Sequence, residues 1–234
     1  MLKNSIHYKH CFDTLRESEL FSNVDNEILD NMLELCQYET RSKGATAISQ
    51  HQANDFFYII ISGRAKVSVY NPHNGREHIM FLLSSGDTFD VIGLLDRKWN
   101  DAFATALENM EVLSTTVSQA REWIEQHPEF NKALLPYLGK QIHSLANQTS
   151  DLSLYDTEAR LSRLILRSLP NNRLTGDIKL LNELSQETLA AMVGSVRVII
   201  TRHLQKWKQD DIVSGKRGKW SLLDLQALLD KTQK

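Results

Sequence analysis

The side chains best suited to bind another molecule lie in one stretch of the sequence, LSQETLAAMVGSVRVIITRHLQKW, from Leu184 to Trp207. Ser185 is a good cap for the start of a helix, and Gly194 allows a sharp turn before a second helix that begins near Ser195 or Val196. Two short helices joined by such a turn are typical of a helix-turn-helix, whose second helix enters the major groove of DNA. The stretch therefore predicts a DNA-binding element.

One face of the predicted second helix carries groups that recognise bases. An Arg at its start can donate two hydrogen bonds to guanine O6 and N7, whereas Val and the Thr methyl group can contact thymine methyl groups. A second Arg can reach a phosphate. The inward apolar set of the two helices is expected to consist of Leu189, Val193, Val196, Ile200 and Leu204. The predicted DNA-contacting residues are Ser195, Arg197, Val198, Thr201, Arg202, Lys206, Lys216 and Arg217.

A two-stranded wing is expected after the second helix. Its strands correspond to Ile212-Val213 and Lys219-Trp220-Ser221-Leu222, and its tip is the basic stretch SGKRG at residues 214–218. The alternative is an ordinary helical hairpin with a solvated charged face. The order helix, glycine turn, helix and basic wing favours DNA binding over that alternative.

The charges of the chain are unevenly divided. The formal net charge is -2, but residues 1–155 carry 13 Lys or Arg and 20 Asp or Glu, whereas residues 156–234 carry 14 and 9. A basic C-terminal part joined to an acidic body indicates two modules with different partners, of which the basic one faces nucleic acid.

The segments before the helix-turn-helix differ in their hydrophobic period. Residues from about 12 to 35 are typical of short helices, and residues from about 40 to 117 of short strands with an Asn-Gly turn at residues 74–75. Closely spaced strands without long helices between them predict an antiparallel barrel or roll. We therefore expect an α+β chain with a β-roll sensor domain over residues 1–121, a dimerisation helix over 122–155 and a winged helix-turn-helix domain over 156–234.

A long helix in the middle of the chain needs a partner for its apolar face. Its apolar and polar residues recur in steps of four and three, which is the spacing of a coiled-coil seam, so a homodimer is favoured over packing within the chain. Pro136 and Gly139 are poor helix formers and indicate a kink or a start near them. The predicted seam residues are Leu134, Leu138, Gln141, Leu145, Gln148, Leu152 and Tyr155.

Length and composition exclude several protein classes. A chain of 234 residues with 41% hydrophobic content can bury a core. No run approaches the roughly 18 apolar residues of a membrane span, and the start MLKNSIHYKHCF lacks the apolar region of a signal peptide, so a cytoplasmic location is expected. Cys11 and Cys36 match no metal-ligand spacing and no disulfide framework. No nucleophile–base pair or phosphate-binding glycine motif supports an enzyme.

An acidic β-roll, a long helix and a winged helix-turn-helix, in this order, resemble the Crp/Fnr family of bacterial transcription regulators over nearly the whole chain. The most specific match is GSVRVIITRHL, Gly194 to Leu204. The resemblance implies that Arg197 reads a guanine in a pseudo-palindromic operator, and that the homodimer contacts RNA polymerase if it is an activator. The family's Glu that reads cytosine is Val198 in this chain, so the operator sequence is expected to differ.

The stretch GDTFDVIGLLDRKWNDAFATA, Gly86 to Ala106, corresponds to the family's cyclic-nucleotide cassette. In the members that bind cyclic nucleotides, a Glu bonds the ribose and an Arg-Ser pair binds the cyclic phosphate. The aligned residues here are Val91, Asp101 and Ala102, and the Thr-Ser pair that meets adenine aligns with Leu145-Ala146. A buried phosphate that faces a carboxylate costs on the order of several kcal/mol. Cyclic AMP is therefore a poor candidate.

Other effectors follow from what the sequence offers in place of those contacts. Two cysteines cannot supply the four thiolates of an iron–sulfur cluster, whereas His7, His10, His73 or His78 can serve as an axial ligand in a haem-based sensor. A small apolar effector, a filled core without an effector, and a ligand-binding module that does not bind DNA are further alternatives. The predicted pocket residues are Phe81, Leu83, Phe89, Val91, Asp101, Ala102, Phe103, Leu138, Ile142 and Leu145.

Overall fold

A computed structural model of the chain describes residues 3–48, 55–89, 91–96, 102–169, 176–178, 182–216 and 219–233. The helices are α1 (Tyr8–Glu17), α2 (Asn26–Leu35), α3 (Val91–Asp96), α4 (Val117–Gln126), α5 (Pro128–Leu154), α6 (Thr157–Ser168), α7 (Gln186–Met192), α8 (Arg197–Gln209) and α9 (Leu225–Asp230). The strands are β1 (Gln37–Arg41), β2 (Thr46–Ile48), β3 (Phe56–Ser62), β4 (Ala65–Tyr70), β5 (Glu77–Leu83), β6 (Thr88–Phe89), β7 (Phe103–Ala106), β8 (Met110–Thr116), β9 (Gly176–Asp177), β10 (Val213–Lys216) and β11 (Lys219–Leu222).

Two four-stranded antiparallel sheets form the N-terminal part, in the orders β1-β8-β3-β6 and β2-β7-β4-β5. In the first sheet Leu113 pairs with Tyr38 on one side and with Ile59 on the other. The prediction of an antiparallel β-roll in an α+β chain is confirmed.

Strand β3 has the nearly continuous apolar sequence FFYIIIS, and both of its faces are buried. Phe57, Ile59 and Ile61 point into a core cluster with α1, α2 and α4, whereas Tyr58 and Ile60 point into a second cluster between the sheets. A continuous apolar run of this kind is typical of a strand covered on both faces.

The long helix α5 differs from its prediction in two ways. It begins at Pro128, where the missing N–H is harmless, and it continues through Pro136. In addition, Leu134 is only 3% exposed and lies in the first core cluster, which Leu138 also contacts. The first predicted seam residue is therefore wrong, because that side of the helix packs on the chain's own roll. The large apolar residues that α5 exposes are Leu135, Ile142, Leu152 and Leu154.

The C-terminal part carries α6 to α9 and a small antiparallel sheet in the order β10-β11-β9. Contacts between residues divide the chain into two compact units, residues 1–69 with 80–143, and residues 70–79 with 144–234. We call the first the roll unit and the second the helix-turn-helix unit.

Candidate nucleic-acid interface

The first helix of the motif, α7, is fixed at its start by a side-chain cap. The Ser185 hydroxyl accepts a hydrogen bond from the Thr188 amide at 3.0 Å, as expected for a cap that satisfies a free N–H of the first turn. Leu189, Ala190 and Ala191 on this helix are buried. The capped turn and the buried face together set the position of α7.

The turn between the two helices requires glycine. Gly194 has a φ of +64°, and a Cβ at this position would lie 2.6 Å from the Leu152 side chain. The Ser195 amide then donates a hydrogen bond to the Ala190 carbonyl oxygen at 2.8 Å, which closes the turn. A side chain at position 194 would meet backbone strain at this positive φ, and the end of the Leu152 side chain would have to move.

The second helix, α8, has a buried face and an exposed face. Ile200, Leu204 and Trp207 are at most 1% exposed, and the Trp207 indole donates to Glu158 Oε1 at 2.8 Å. The predicted inward set was wrong at Val196, which is 52% exposed because it precedes the helix in an extended conformation. That set also lacked Trp207, whose position three residues after Leu204 continues the helical spacing.

The exposed face of α8 carries most of the residues that the sequence predicts to contact DNA. Arg197, Val198, Arg202 and Lys206 are exposed, and Val198 is 74% exposed. Thr201 is half-buried. Ser195 is half-buried before the helix begins. Base contacts from these residues stay a prediction.

Two residues at the start of α7 lie against α8, and the sequence did not single them out. Gln186 Oε1 accepts a hydrogen bond from the Thr201 hydroxyl. Glu187 Oε1 lies 3.6 Å from Arg197 Nη1. The sequence predicted the start of α7 from the Ser185 cap. A cap does not indicate which residues of the first turn face the neighbouring helix.

The wing forms as two paired strands, β10 and β11, in which Gly215 is opposite Trp220. A Cβ on Gly215 would lie 2.4 Å from the Trp220 ring, so the strand accepts only glycine there. Lys208 reaches the same point and donates to the Gly215 carbonyl oxygen at 2.7 Å. Lys216 ends β10, and Arg217 lies outside the described residues.

A buried carboxylate joins the end of α5 to α6. Asp151 is 6% exposed and accepts hydrogen bonds from Arg163 Nε at 2.7 Å and from Arg167 Nη1 at 2.7 Å. The Arg163 guanidinium also lies over the Tyr155 ring, 4.3 Å from its centroid. These contacts fix the position of α6. That helix carries Glu158, which accepts the hydrogen bond from Trp207 of α8.

The predicted pocket residues of the roll are distributed over two core clusters. The cluster between the sheets contains Leu83, Phe89 and Ala102, and Phe81 packs against it. Val91 is buried in the other cluster, against which Leu138 packs. Phe103 and Leu145 are half-buried, Ile142 is 64% exposed, and Asp101 lies outside the described residues. That these side chains line one apolar cavity stays a prediction.

A carboxylate at the start of the cassette was not predicted as a site. Asp87 follows Gly86, whose φ is +86°. Its Oδ2 accepts from the Ser84 amide at 2.8 Å and its Oδ1 from the Tyr137 hydroxyl at 3.4 Å. Burial raises the pKa of the Asp87 carboxyl above its ordinary value, although these hydrogen bonds act in the opposite direction. The sequence gives little signal for this site because Tyr137 lies far along the chain, on α5.

The histidines and cysteines are placed as follows. His7 stacks on Tyr38 with ring centroids 4.0 Å apart, and His10 Nε2 lies 3.2 Å from Glu111 Oε2. His73 is exposed and His78 half-buried. Both cysteines are buried, and burial raises the pKa of the Cys11 thiol to about 11 and that of the Cys36 thiol to about 12. Within the described part of the chain, no three His, Cys, Asp or Glu side chains converge as a metal site requires. Nor does any described helix have the length and apolar content needed to cross a bilayer.

Two family models match the sequence. Residues 39–127 match the cyclic nucleotide-binding domain, and residues 159–231 match the Crp-like helix-turn-helix domain. The first covers most of the two large sheets, and the second covers α7, α8 and the wing.

Known regulators are similar to the chain over most of its length. A CRP-like cAMP-activated global transcriptional regulator of Mycobacterium tuberculosis is 24% identical over 194 residues, or 82% of this chain and 86% of the relative. A global nitrogen regulator of Nostoc is 26% identical, over 75% of this chain and 80% of the relative. Among solved structures, a CooA mutant from Carboxydothermus hydrogenoformans superimposes with a TM-score of 0.73 at 20% identity, over 87% of this chain and 90% of that one.

Proposed function

The chain belongs to the Crp/Fnr family of DNA-binding transcription regulators, and we propose that it binds a pseudo-palindromic operator as a homodimer through α8. The observation that carries this proposal is the division of α8 into two faces. Arg197, Val198 and Arg202 are exposed on one side, whereas Leu204 and Trp207 anchor the other. A helix held by a buried face and free on a basic face suits insertion into the major groove. The proposed role is regulatory and non-catalytic.

The homodimer is supported by apolar side chains that α5 leaves exposed. Leu135, Ile142 and Leu152 are 68%, 64% and 40% exposed. Together with half-buried Leu138 and Leu145 they follow steps of three, four, three and seven, so they lie on one stripe of the helix. An apolar stripe of this length is expected to pair with the same stripe of a second copy. Two-fold symmetry then places the half-sites about one helical turn of DNA apart.

Control by cyclic AMP is not part of the proposal, although the relative from Mycobacterium tuberculosis is named as cAMP-activated. Val91 and Ala102 are 3% and 5% exposed and apolar, and they stand where the resemblance places ribose and phosphate contacts. Neither side chain can replace the hydrogen bonds and charge that a buried cyclic phosphate requires. A small apolar effector, or none, stays a prediction, as does contact with RNA polymerase.

DNA binding and its independence of cyclic AMP can be tested together. We expect the full chain to bind genomic duplex fragments with an affinity whose logarithm falls linearly with the logarithm of salt concentration. Lys206→Gln should make the slope of this dependence shallower, by about the contribution of one phosphate contact per protomer. Lys132→Gln removes an exposed lysine of the roll unit and should leave it unchanged.

The same titration with added cyclic AMP should give the same affinities. Binding that is absent at low salt would contradict the DNA-binding proposal. An affinity that rises with cyclic AMP would contradict only the claim about the effector.

A further inference from the structure

An acidic side chain lies on the face of the helix-turn-helix that carries the predicted DNA contacts. Glu187 is the second residue of α7, and its Oε1 is 3.6 Å from Nη1 of Arg197, the first residue of α8. Both side chains are largely exposed, at 71% and 64%. A carboxylate is therefore open to solvent beside the guanidinium that is predicted to read guanine.

The position of this carboxylate is set by the contact beside it. Gln186 accepts a hydrogen bond from the hydroxyl of Thr201, which lies one helical turn after Arg197. The cap of Ser185 on Thr188 fixes the same turn of α7 from the other side. Two successive residues of α7 thus meet two successive turns of α8, so Glu187 stays close to Arg197 without a buried ion pair.

We propose that Glu187 is a specificity-determining residue, which lowers the affinity for arbitrary DNA more than the affinity for the operator. This inference rests on the proposed DNA binding through Arg197. A guanidinium has five N–H donors, so Arg197 can give two to guanine and keep one for Glu187. In that geometry the carboxylate remains paired while it lies near the DNA.

Arbitrary DNA offers no guanine at the right place, and Arg197 then turns toward a phosphate. The Glu187 carboxylate loses its partner and faces the negative backbone, where like charges repel. The cost falls on the wrong sequences, which is how a repulsive element creates specificity. A purely structural role, in which Glu187 only stabilises the start of α7, predicts no difference between the two kinds of DNA.

The test is Glu187→Gln in the full chain, which keeps the shape of the side chain and removes its charge. Dissociation constants are measured by fluorescence anisotropy at one salt concentration, for a duplex selected by the unmodified protein and for a scrambled duplex. We expect affinity for the scrambled duplex to rise about tenfold and affinity for the operator to change by less than about threefold. Asp210→Asn removes an exposed carboxylate at the other end of α8 and should leave the ratio of the two constants unchanged.

The inference predicts that Glu187→Gln lowers the dissociation constant for the scrambled duplex divided by that for the operator. If this ratio stays unchanged or increases, the inference is wrong. The Arg197→Ala background separates this failure from failure of the proposed function. In that background Glu187 is unpaired on both duplexes, so Glu187→Gln should raise both affinities by the same factor. If Arg197→Ala alone leaves the preference for the operator intact, the proposed readout by Arg197 is wrong. If that preference falls but Glu187→Gln does not change the ratio, only the role of Glu187 is wrong.

Discussion

Each of the two units shields a carboxylate from solvent, and the two carboxylates have different partners. Asp151 is buried, whereas Asp87 is half-buried. In the helix-turn-helix unit, Asp151 accepts hydrogen bonds from the guanidinium groups of Arg163 and Arg167. In the roll unit, Asp87 accepts from the Ser84 amide and the Tyr137 hydroxyl, which are neutral. The Asp151 carboxylate makes charge-assisted hydrogen bonds, which offset the cost of its burial. The partners of Asp87 are neutral, and burial raises the pKa of its carboxyl.

The same difference extends to the sites of the two units. The helix-turn-helix unit exposes Arg197, Arg202 and Lys206, so its predicted ligand, a polyanion, follows from the residues themselves. The roll unit has apolar Val91 and Ala102 in the core, at the positions where the resemblance implies polar contacts in the members that bind cyclic nucleotides. Resemblance therefore supports a function where the contacting side chains are kept, and it supports only a fold where they are replaced.

The largest expected effect is on the paired carboxylate. Asp151→Asn removes the charge between Arg163 and Arg167, and we expect it to lower the free energy of unfolding by about 1.5 to 3 kcal/mol. Urea unfolding of the full chain measures this change. The control Asp13→Asn, at an exposed position of α1, should change it by less than about 0.5 kcal/mol. Equal effects of the two substitutions would mean that the paired Asp151 carboxylate stabilises the fold no more than an exposed carboxylate does.

A smaller effect is expected at Asp87, and it depends on pH. Because the folded pKa of this carboxyl is raised, ionisation costs stability once the pH exceeds the unfolded pKa of about 3.9. Asp87→Asn removes that cost, so the stability of the variant relative to the unmodified protein should increase as the pH rises above about 4 and level off above the folded pKa of Asp87. Unfolding curves across this range measure the difference. A difference that decreases with pH would mean that Asp87 is stabilised, not penalised, by its surroundings.

The parts of the fold that were predicted from sequence depend on local rules. The Ser185 cap, the Gly194 turn and the turn at Gly75 each follow from neighbouring residues, and each is present. Val196 and Leu134 were placed wrongly because a periodic pattern identifies an apolar position but not what lies against it. Leu134 faces the chain's own roll, and the exposed stripe of α5 begins one residue later, at Leu135.

The parts of the candidate site that were missed depend on contacts between distant residues. Glu187 meets Arg197 through the geometry of the turn, and Asp87 meets Tyr137 across fifty residues of sequence. No periodicity or motif in the sequence predicts either contact. Sequence reasoning therefore identified the exposed residues of α8 but not the acidic neighbour that we propose affects their specificity.

The central claim is that Arg197 on α8 reads a base in each half of a symmetric operator. Selection of bound duplexes from random DNA, with the unmodified protein and with Arg197→Ala, tests it most directly. The unmodified protein should select a motif with two-fold symmetry and a guanine at equivalent positions of both half-sites. Arg197→Ala should lose the preference at that base pair, at a cost of about 1 to 3 kcal/mol per half-site. The same motif from both proteins would contradict the account.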